Sequence, residues 1–501
     1  MRTRRIAAAL GAALLVGTIP APATADPTVT PLNWHSCSTG PGDEIGAALD
    51  AAGARCAELT VPLDYSRPRG RTIDIAVSRL PATDPAARRG ALALNPGGPG
   101  DPALDLVLEL AEISPEVAAR YDLIGMDPRF VGRSSPLSCD WETGLSMRGA
   151  GPTWQTFAEG ATRARELAAG CVEGNEALLP HATTRNTARD LDRVRAALGE
   201  PKLSYVGWSG GSYLGAVYTQ MFPERVDRFV LDSAVDPEVY GPRVTRAMGE
   251  ATEAALRNWA CWAAERDATY HLGTTRDAVL ATVERVRRAA EERLLRVGDH
   301  LVDARLLPVL LFLPIRFDTE EDLAGIAADV RVLADAADGR RVTPTPGLET
   351  HLRMATTPNG IGDGTLFLCA DRAAPRDPET YYRDIRAHRS SEPLFGPLTR
   401  NITPCAFWPT APVEAPTRID NAVPALIVGA SGDPRTPRAG QLAMHQALSG
   451  SRMITLDDAH RHLVYGVEGN PCVDGAVNRY LLDGVLPAAD LTCTRVSAAG
   501  S

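Results

Sequence analysis

The sequence is poor in positive charge. Its 501 residues include 52 basic and 62 acidic side chains, which gives a net charge of −10. Only Lys202 is a lysine, and this scarcity indicates a coding bias rather than a function. An acidic chain is a poor match for nucleic acid or for an anionic membrane surface, so we expect neither as a partner.

Motifs of several enzyme classes are also missing. The chain has no G-x-x-x-x-G-K phosphate loop, no H-E-x-x-H zinc motif and no C-x-x-C pair. These absences count against nucleotide-dependent and metal-dependent chemistry, so we expect no cofactor and no metal site. After the N terminus, no segment holds 18 uninterrupted apolar residues, so we expect no membrane span in the mature protein.

Residues 1–25 have the features of a secretion signal. Three of the first five residues are arginine, residues 6–19 are apolar but short for a membrane span, and residues 23–25 offer a small-x-small cleavage site. Cleavage would leave a net charge of −13. We therefore expect export to the extracellular space or cell wall, with a membrane anchor as the alternative.

Export makes disulfides the expected state of the nine cysteines. Because nine is an odd number, at least one cysteine must stay outside the intramolecular disulfides. Spacing alone does not determine which cysteines pair. Neighbours in the sequence suggest Cys37–Cys56, Cys139–Cys171, Cys369–Cys405 and Cys472–Cys493.

Strand and helix patterns alternate from about residue 58 to 236 and again from about 416, whereas long helical stretches fill the part between them. Alternation of this kind predicts an α/β fold, a mostly parallel sheet with helices on both faces, here with an inserted helical cap. The expected parts are 26–236 and 416–501 for the core and 237–415 for the cap. Predicted strands cover 71–78, 91–94, 121–126, 203–208, 228–232, 424–429 and 452–456, and predicted helices cover 187–198, 274–296, 438–448 and 472–482.

The segment Gly207-Trp-Ser-Gly-Gly211 is the main chemical signal. It is a G-x-S-x-G motif between a predicted strand and a predicted helix, the setting of a nucleophile in a strained turn. The glycines let strand and helix approach, and Ser209 would stand at a helix N terminus that favours negative charge. The alternative is an ordinary β-turn before a helix.

A serine nucleophile needs a base and an acid, which follow it in the order Ser, Asp, His in this type of fold. Asp433 lies in the loop after a late strand, although it could be only a turn residue beside a proline. Three histidines follow it. His445 is placed in a helix, but His460 and His462 share the loop after the next strand, and the pattern leaves both open as the base.

The Asn-Pro-Gly-Gly-Pro-Gly segment 95–100 follows the predicted strand at 91–94. Glycines in that place let backbone N–H groups converge on a substrate oxygen, so Gly98 and Gly210 are the candidate oxyanion-hole donors. The alternative is a tight loop that only closes a βα unit.

Together these motifs resemble the α/β-hydrolase peptidases related to proline iminopeptidase, in particular the secreted actinobacterial tripeptidyl aminopeptidases. The resemblance spans about residues 33 to 493. The matching segments are 61–65, 95–100, 127–134, 207–211, 433–437, 462–466 and 469–472.

The resemblance implies a secreted, monomeric serine exopeptidase that releases short peptides, tripeptides in particular, from free N termini through an acyl-enzyme. The implied triad is Ser209, Asp433 and His462. His462 is preferred because the family ending Gly-His-x-Val-Tyr-Gly aligns without a gap on residues 461–466, whereas alignment from the strand side would put Arg461 at the histidine.

Departures from the family pattern concern the surroundings of the site. Phe130 replaces a glycine and would be strained if the backbone there needs a positive φ. Asp101 replaces a small residue in the oxyanion loop, and the second cap cysteine of the family is missing, which leaves Cys261 as the expected odd thiol. Two other functions remain open: an esterase or tailoring hydrolase acting on a small metabolite, and a non-catalytic binding protein.

Overall fold

The computed structural model describes residues 31–358, 364–467 and 469–495. The predicted signal segment 1–25 lies outside the described residues. A nine-stranded sheet organises the core, and a separate two-stranded hairpin lies within the inserted part of the chain. The strands are β1 Arg55–Pro62, β2 Thr72–Leu80, β3 Gly90–Asn95, β4 Tyr121–Met126, β5 Leu203–Trp208, β6 Val226–Asp232, the hairpin strands β7 Leu295–Val297 and β8 His300–Val302, then β9 Ala425–Ala430, β10 Arg452–Asp457 and β11 Leu491–Thr494.

The strand order in the large sheet is β1-β2-β4-β3-β5-β6-β9-β10-β11. Pairs β1–β2 and β2–β4 are antiparallel, and every other neighbouring pair is parallel. Strands β3, β4, β5 and β9 are buried along their whole length, which is why their sequences are continuous apolar runs rather than alternating patterns. This topology confirms the predicted α/β-hydrolase class.

Seventeen α-helices are described. In several of them a side chain caps the first turn: Thr183 accepts from the Asn186 N–H, and Asn470 accepts from the N–H groups of Cys472 and Val473. The helices are α1 Glu44–Ala51, α2 Leu106–Ile113, α3 Pro115–Ala118, α4 Trp154–Val172, α5 Thr184–Ala197, α6 Gly210–Met221, α7 Met248–Ala264, α8 Asp267–Tyr270, α9 Arg276–Glu292, α10 Leu307–Phe312, α11 Glu320–Ala337, α12 Pro346–Thr356, α13 Thr365–Asp371, α14 Pro378–His388, α15 Gly396–Thr399, α16 Arg438–Ala447 and α17 Pro471–Asp483.

Hydrophobic packing divides the molecule differently from the chain order. Two large clusters of buried side chains cover the two faces of the sheet, and a third joins α7, α9, α10, α11 and α12. Helix α13 and the segment 404–408 lie in the part expected to be cap, yet their apolar side chains pack in a cluster of the sheet. The boundaries at 237 and 415 therefore remain predictions.

The four predicted disulfides are confirmed, and Cys261 is an exposed free cysteine. Cross-links of this number are typical of proteins that fold in an oxidising compartment. Within the described ranges, no helix is both long enough and apolar enough to cross a membrane.

Candidate active site

Ser209 occupies the turn between β5 and α6. Its backbone has φ 53° and ψ −121°, a conformation that is strained for a residue with a Cβ atom and typical of a nucleophile turn. Its N–H donates to the carbonyl oxygen of Asp232 at 2.9 Å. A Cβ atom on Gly211 would lie 2.6 Å from the carbonyl oxygen of Asn95, so only glycine allows this close approach. The turn thus has the backbone geometry that the motif predicts.

The loop after β9 places Asp433 against His462. The imidazole Nδ1 lies 3.1 and 3.0 Å from the two carboxylate oxygens, and both side chains are buried. The same carboxylate accepts from the N–H groups of Arg435 and Thr436 at 2.7 and 2.9 Å and from the Thr436 hydroxyl at 2.6 Å. Because both Asp433 carboxylate oxygens face Nδ1 and can only accept, we assign a proton to Nδ1.

Electrostatics favour the ionised form of Asp433. Burial alone would raise the pKa of its carboxyl, but His462 and the hydrogen bonds from Thr436 outweigh that effect and hold the pKa below its usual value. A carboxylate that remains charged can orient the imidazole and stabilise its protonated form.

His460 faces a different neighbour. The backbone N–H of His460 donates to the Asp318 carboxylate at 2.8 Å. Its ring Nδ1 is buried without a hydrogen-bond partner among the described residues. A Cβ atom on Gly432 would lie 2.5 Å from that Nδ1. Of the two histidines that the sequence leaves open, the structure therefore brings His462 to Asp433 and leaves His460 beside the preceding turn.

The candidate oxyanion loop rests directly on the nucleophile turn. A Cβ atom on Gly97 would lie 2.8 Å from the backbone nitrogen of Gly210 and 3.1 Å from Cβ of Ser209. A Cβ atom on Gly210 would lie 3.2 Å from the carbonyl carbon of Gly98. Both Gly97 and Gly98 have positive φ, 105° and 96°. The structure thus places both predicted donors, Gly98 and Gly210, at one junction beside Ser209.

Sequence reasoning missed the residues at the end of β6 that hold the loop carrying His462. The Asp232 carboxylate, at the end of β6, accepts from the N–H groups of Val464 and Tyr465 at 3.1 and 2.6 Å. The Ser233 hydroxyl accepts from the Leu463 N–H at 2.9 Å. Burial raises the pKa of Asp232 to about 6. The sequence feature that could have identified Asp232 is an acidic residue at the last position of a buried strand.

The inserted part of the chain also contacts the loop that carries His462. The carbonyl oxygen of Arg316 accepts a hydrogen bond of 2.7 Å from the backbone N–H of His462. Asp318 forms ion pairs with Arg495 at 2.8 Å and, more loosely, with Arg461 at 3.8 Å. No local pattern marks these cap residues, because their partners lie far away in the sequence.

The segment around Phe130 contributes hydrogen bonds that hold the neighbouring backbone. Phe130 is buried with φ 70°, so the strain expected from its replacement of a glycine is present. The Asp127 carboxylate accepts from the N–H groups of Ala103 and Arg133, each at 2.8 Å. These bonds tie the end of the oxyanion loop to the strand β4 region.

Comparisons with known proteins agree with this architecture. A model of the alpha/beta hydrolase fold matches residues 90–296, and a model described as TAP-like protein matches residues 392–493. The tripeptidyl aminopeptidase of Streptomyces lividans is 37% identical over 458 residues, which cover 88% of this chain and 83% of that protein.

Two further relatives come from Mycobacterium tuberculosis. The serine protease Hip1 is 29% identical over 494 residues, 92% of this chain and 91% of that protein. Carboxylesterase B is 30% identical over 502 residues, which cover 93% of this chain and 91% of that protein. The extent of these matches confirms the predicted family and enzyme class: the chain belongs to the tripeptidyl aminopeptidase family of α/β-hydrolase serine peptidases.

Proposed function

We propose that this protein is a secreted exopeptidase that releases short peptides, in particular tripeptides, from free N termini. The observation that supports it most is the buried contact of His462 Nδ1 with both carboxylate oxygens of Asp433, in a loop bound through Asp232 to the nucleophile turn. The tripeptidyl specificity is taken from the S. lividans relative. Four disulfides and the signal-like N terminus support secretion.

In this mechanism the Ser209 hydroxyl attacks the carbonyl carbon of the scissile peptide bond while Nε2 of His462 takes its proton. The Asp433 carboxylate accepts a hydrogen bond from the Nδ1–H group of His462 and stabilises the imidazolium that forms. The tetrahedral intermediate expels the amine, which receives the proton from His462, and an acyl-enzyme remains. Water activated by the same imidazole then attacks the acyl carbon and frees both the peptide and Ser209.

The oxygen of the tetrahedral intermediate carries the developing negative charge. We assign the N–H groups of Gly98 and Gly210 to it, because a backbone donor needs no reorganisation at the moment of reaction. Gly210 is also the first residue of α6, where the helix dipole adds to this stabilisation.

Hydrolysis of one tripeptidyl p-nitroanilide, with a free and with a blocked N terminus, tests the proposal. We expect mature protein to cleave only the free form and Ser209→Ala to lose this activity. Activity that persists in a pure Ser209→Ala preparation would contradict the role of Ser209. Equal cleavage of the blocked form would contradict the exopeptidase assignment.

The second candidate is an esterase, favoured by the similarity to carboxylesterase B. The same triad can cleave esters, since the fold does not set the substrate. If wild-type protein hydrolyses short acyl esters but neither tripeptidyl amide, and Ser209 still reacts with a fluorophosphonate probe, the esterase assignment replaces the peptidase.

A further inference from the structure

The loop that carries His462 lies alongside a short segment of the inserted part of the chain. The backbone N–H of His462 donates to the carbonyl oxygen of Arg316 at 2.7 Å. Two residues further along each segment, the backbone N–H of His460 donates to the carboxylate of Asp318 at 2.8 Å. The two segments therefore run in opposite directions, as two antiparallel strands do. In the second contact the Asp318 side chain takes the place of a backbone carbonyl group.

Asp318 is buried, and arginine side chains meet its charge. Only 4% of the residue is exposed. The two terminal nitrogens of Arg495 donate to its two carboxylate oxygens at 2.8 and 3.2 Å. The Arg461 guanidinium lies 3.8 Å away, and Nε of Arg461 donates to the Leu463 carbonyl oxygen at 3.1 Å. Because a buried carboxylate is costly unless it is paired, the position of Asp318 depends on these cations.

The position of Arg495 is set by the core and not by the insert. Arg495 directly follows β11, which pairs in parallel with β10, the strand that leads into the loop of His462. The Cys472–Cys493 disulfide ties β11 to helix α17. The side-chain amide of Asn470 donates to the Thr494 carbonyl oxygen at 3.0 Å. Arg495 therefore reaches Asp318 from a well-anchored point at the edge of the sheet.

These contacts connect the last strand of the sheet to the proposed base. A guanidinium that donates twice to one carboxylate fixes the orientation of that carboxylate as well as its distance. The orientation of Asp318 in turn fixes the backbone at His460, two residues before His462. Proton transfer is sensitive to such details, because a misplacement of about 1 Å in a catalytic group can cost about 100-fold in rate.

We infer that Arg495 is a positioning residue for the proposed base. It pairs with the buried carboxylate of Asp318 and thereby holds the loop that carries His462. Arg495 acts through Asp318 and not on the substrate. This inference rests on the proposed role of His462 as the base, but it is independent of the choice between peptide and ester substrates.

Arg495→Gln tests the inference, because glutamine keeps a polar side chain but removes the charge. We expect kcat for the tripeptidyl p-nitroanilide and the rate of Ser209 labelling by a fluorophosphonate each to fall by about tenfold, with KM within about twofold of wild type. Arg495→Lys should recover part of the loss, since lysine keeps the charge but cannot donate as a planar fork. Urea unfolding shows that each variant is folded under the assay conditions.

A double-mutant cycle assigns the effect to the pair. Asp318→Asn removes the charge but leaves an oxygen for the His460 N–H, and it should cost a similar factor. The double variant Arg495→Gln/Asp318→Asn should lose little more than either single variant, because the two changes remove one interaction. Arg331→Gln is the matched control. The Arg331 side chain is 26% exposed, against 30% for Arg495, and it pairs at 2.6 Å with Asp335 of its own helix. It should keep wild-type rates.

The outcomes separate this inference from the proposed function. If Arg495→Gln keeps wild-type rates while His462→Ala is inactive, only the positioning role of Arg495 is overturned. A double variant whose loss equals the product of the two single losses overturns it as well. If His462→Ala labels as fast as wild type, the proposed base is wrong and the inference fails with it. Should Asp318→Asn not fold, Arg495→Gln and Arg495→Lys decide, and a loss without recovery by lysine counts against the inference.

Discussion

The carboxylate of Asp232 accepts a hydrogen bond of 2.6 Å from the backbone N–H of Tyr465. This bond joins the last residue of β6 to the loop that carries His462, while the carbonyl oxygen of Asp232 accepts the N–H of Ser209. One buried acid therefore sets the distance between the nucleophile turn and the histidine loop. A buried network of this kind is rigid because an unsatisfied member would be costly.

Asp232 should make stability depend on pH. Its pKa is raised by burial to about 6, above the value of about 4 for an unfolded chain, so folding favours the protonated form. That contribution is fully present below about pH 4 and is lost as pH rises through about 6. Urea unfolding from pH 4 to 7.5 should show the free-energy advantage of wild type over Asp232→Asn shrinking by about 2 to 3 kcal/mol. A difference independent of pH would contradict the raised pKa.

The two histidines should differ strongly in their effect on activity. His462→Ala removes the proposed base, and we expect kcat to fall by about 10⁴-fold or more. His460→Ala is the control from the same loop and should retain activity of the wild-type order, because its ring Nδ1 has no hydrogen-bond partner among the described residues. Kinetics with the tripeptidyl p-nitroanilide measure both. A severe loss in His460→Ala with intact folding would reverse the assignment.

Local patterns identified the nucleophile turn but could not separate these histidines. Strand β5 was predicted at its observed bounds, since a short apolar run between turn residues is a local signal. His460 and His462 share one loop, and only contacts with Asp433 and Gly432, from another strand end, distinguish them. The same reason hides Arg316 and Asp318, which approach the loop from the cap. Edge strand β11, four residues long with one buried side chain, has too little pattern to be found.

The oxyanion loop should not tolerate a side chain at Gly98. Its φ is 96°, and a Cβ atom would lie 3.0 Å from Cγ and 3.1 Å from the backbone nitrogen of Asp101, so Gly98→Ala should strain and displace the loop. We expect kcat to fall by about 10² to 10³-fold, as for loss of an oxyanion donor. Gly160→Ala, in helix α4 with nothing within 4 Å of the new atom, is the matched control. Unchanged kcat in Gly98→Ala would remove Gly98 from the oxyanion hole.

The disulfide Cys369–Cys405 should contribute strongly to stability. It joins α13 to the segment 404–407 across a sequence separation of 36 residues, and both cysteines pack against the sheet. Replacing both with serine should lower the free energy of unfolding by about 3 to 4 kcal/mol, measured by urea denaturation. Cys261→Ser changes an exposed free thiol and should leave the stability within about 0.5 kcal/mol. Equal stability of the two variants would show that the cross-link is dispensable.

The hydrogen bond from the backbone N–H of His462 to the Arg316 carbonyl oxygen joins the cap to the loop that carries the proposed base. Any change in the position of the Arg316 segment must therefore either shift this loop or break the bond. The segment around Arg316 is therefore part of the support that positions the proposed base, although it belongs to the inserted part of the chain.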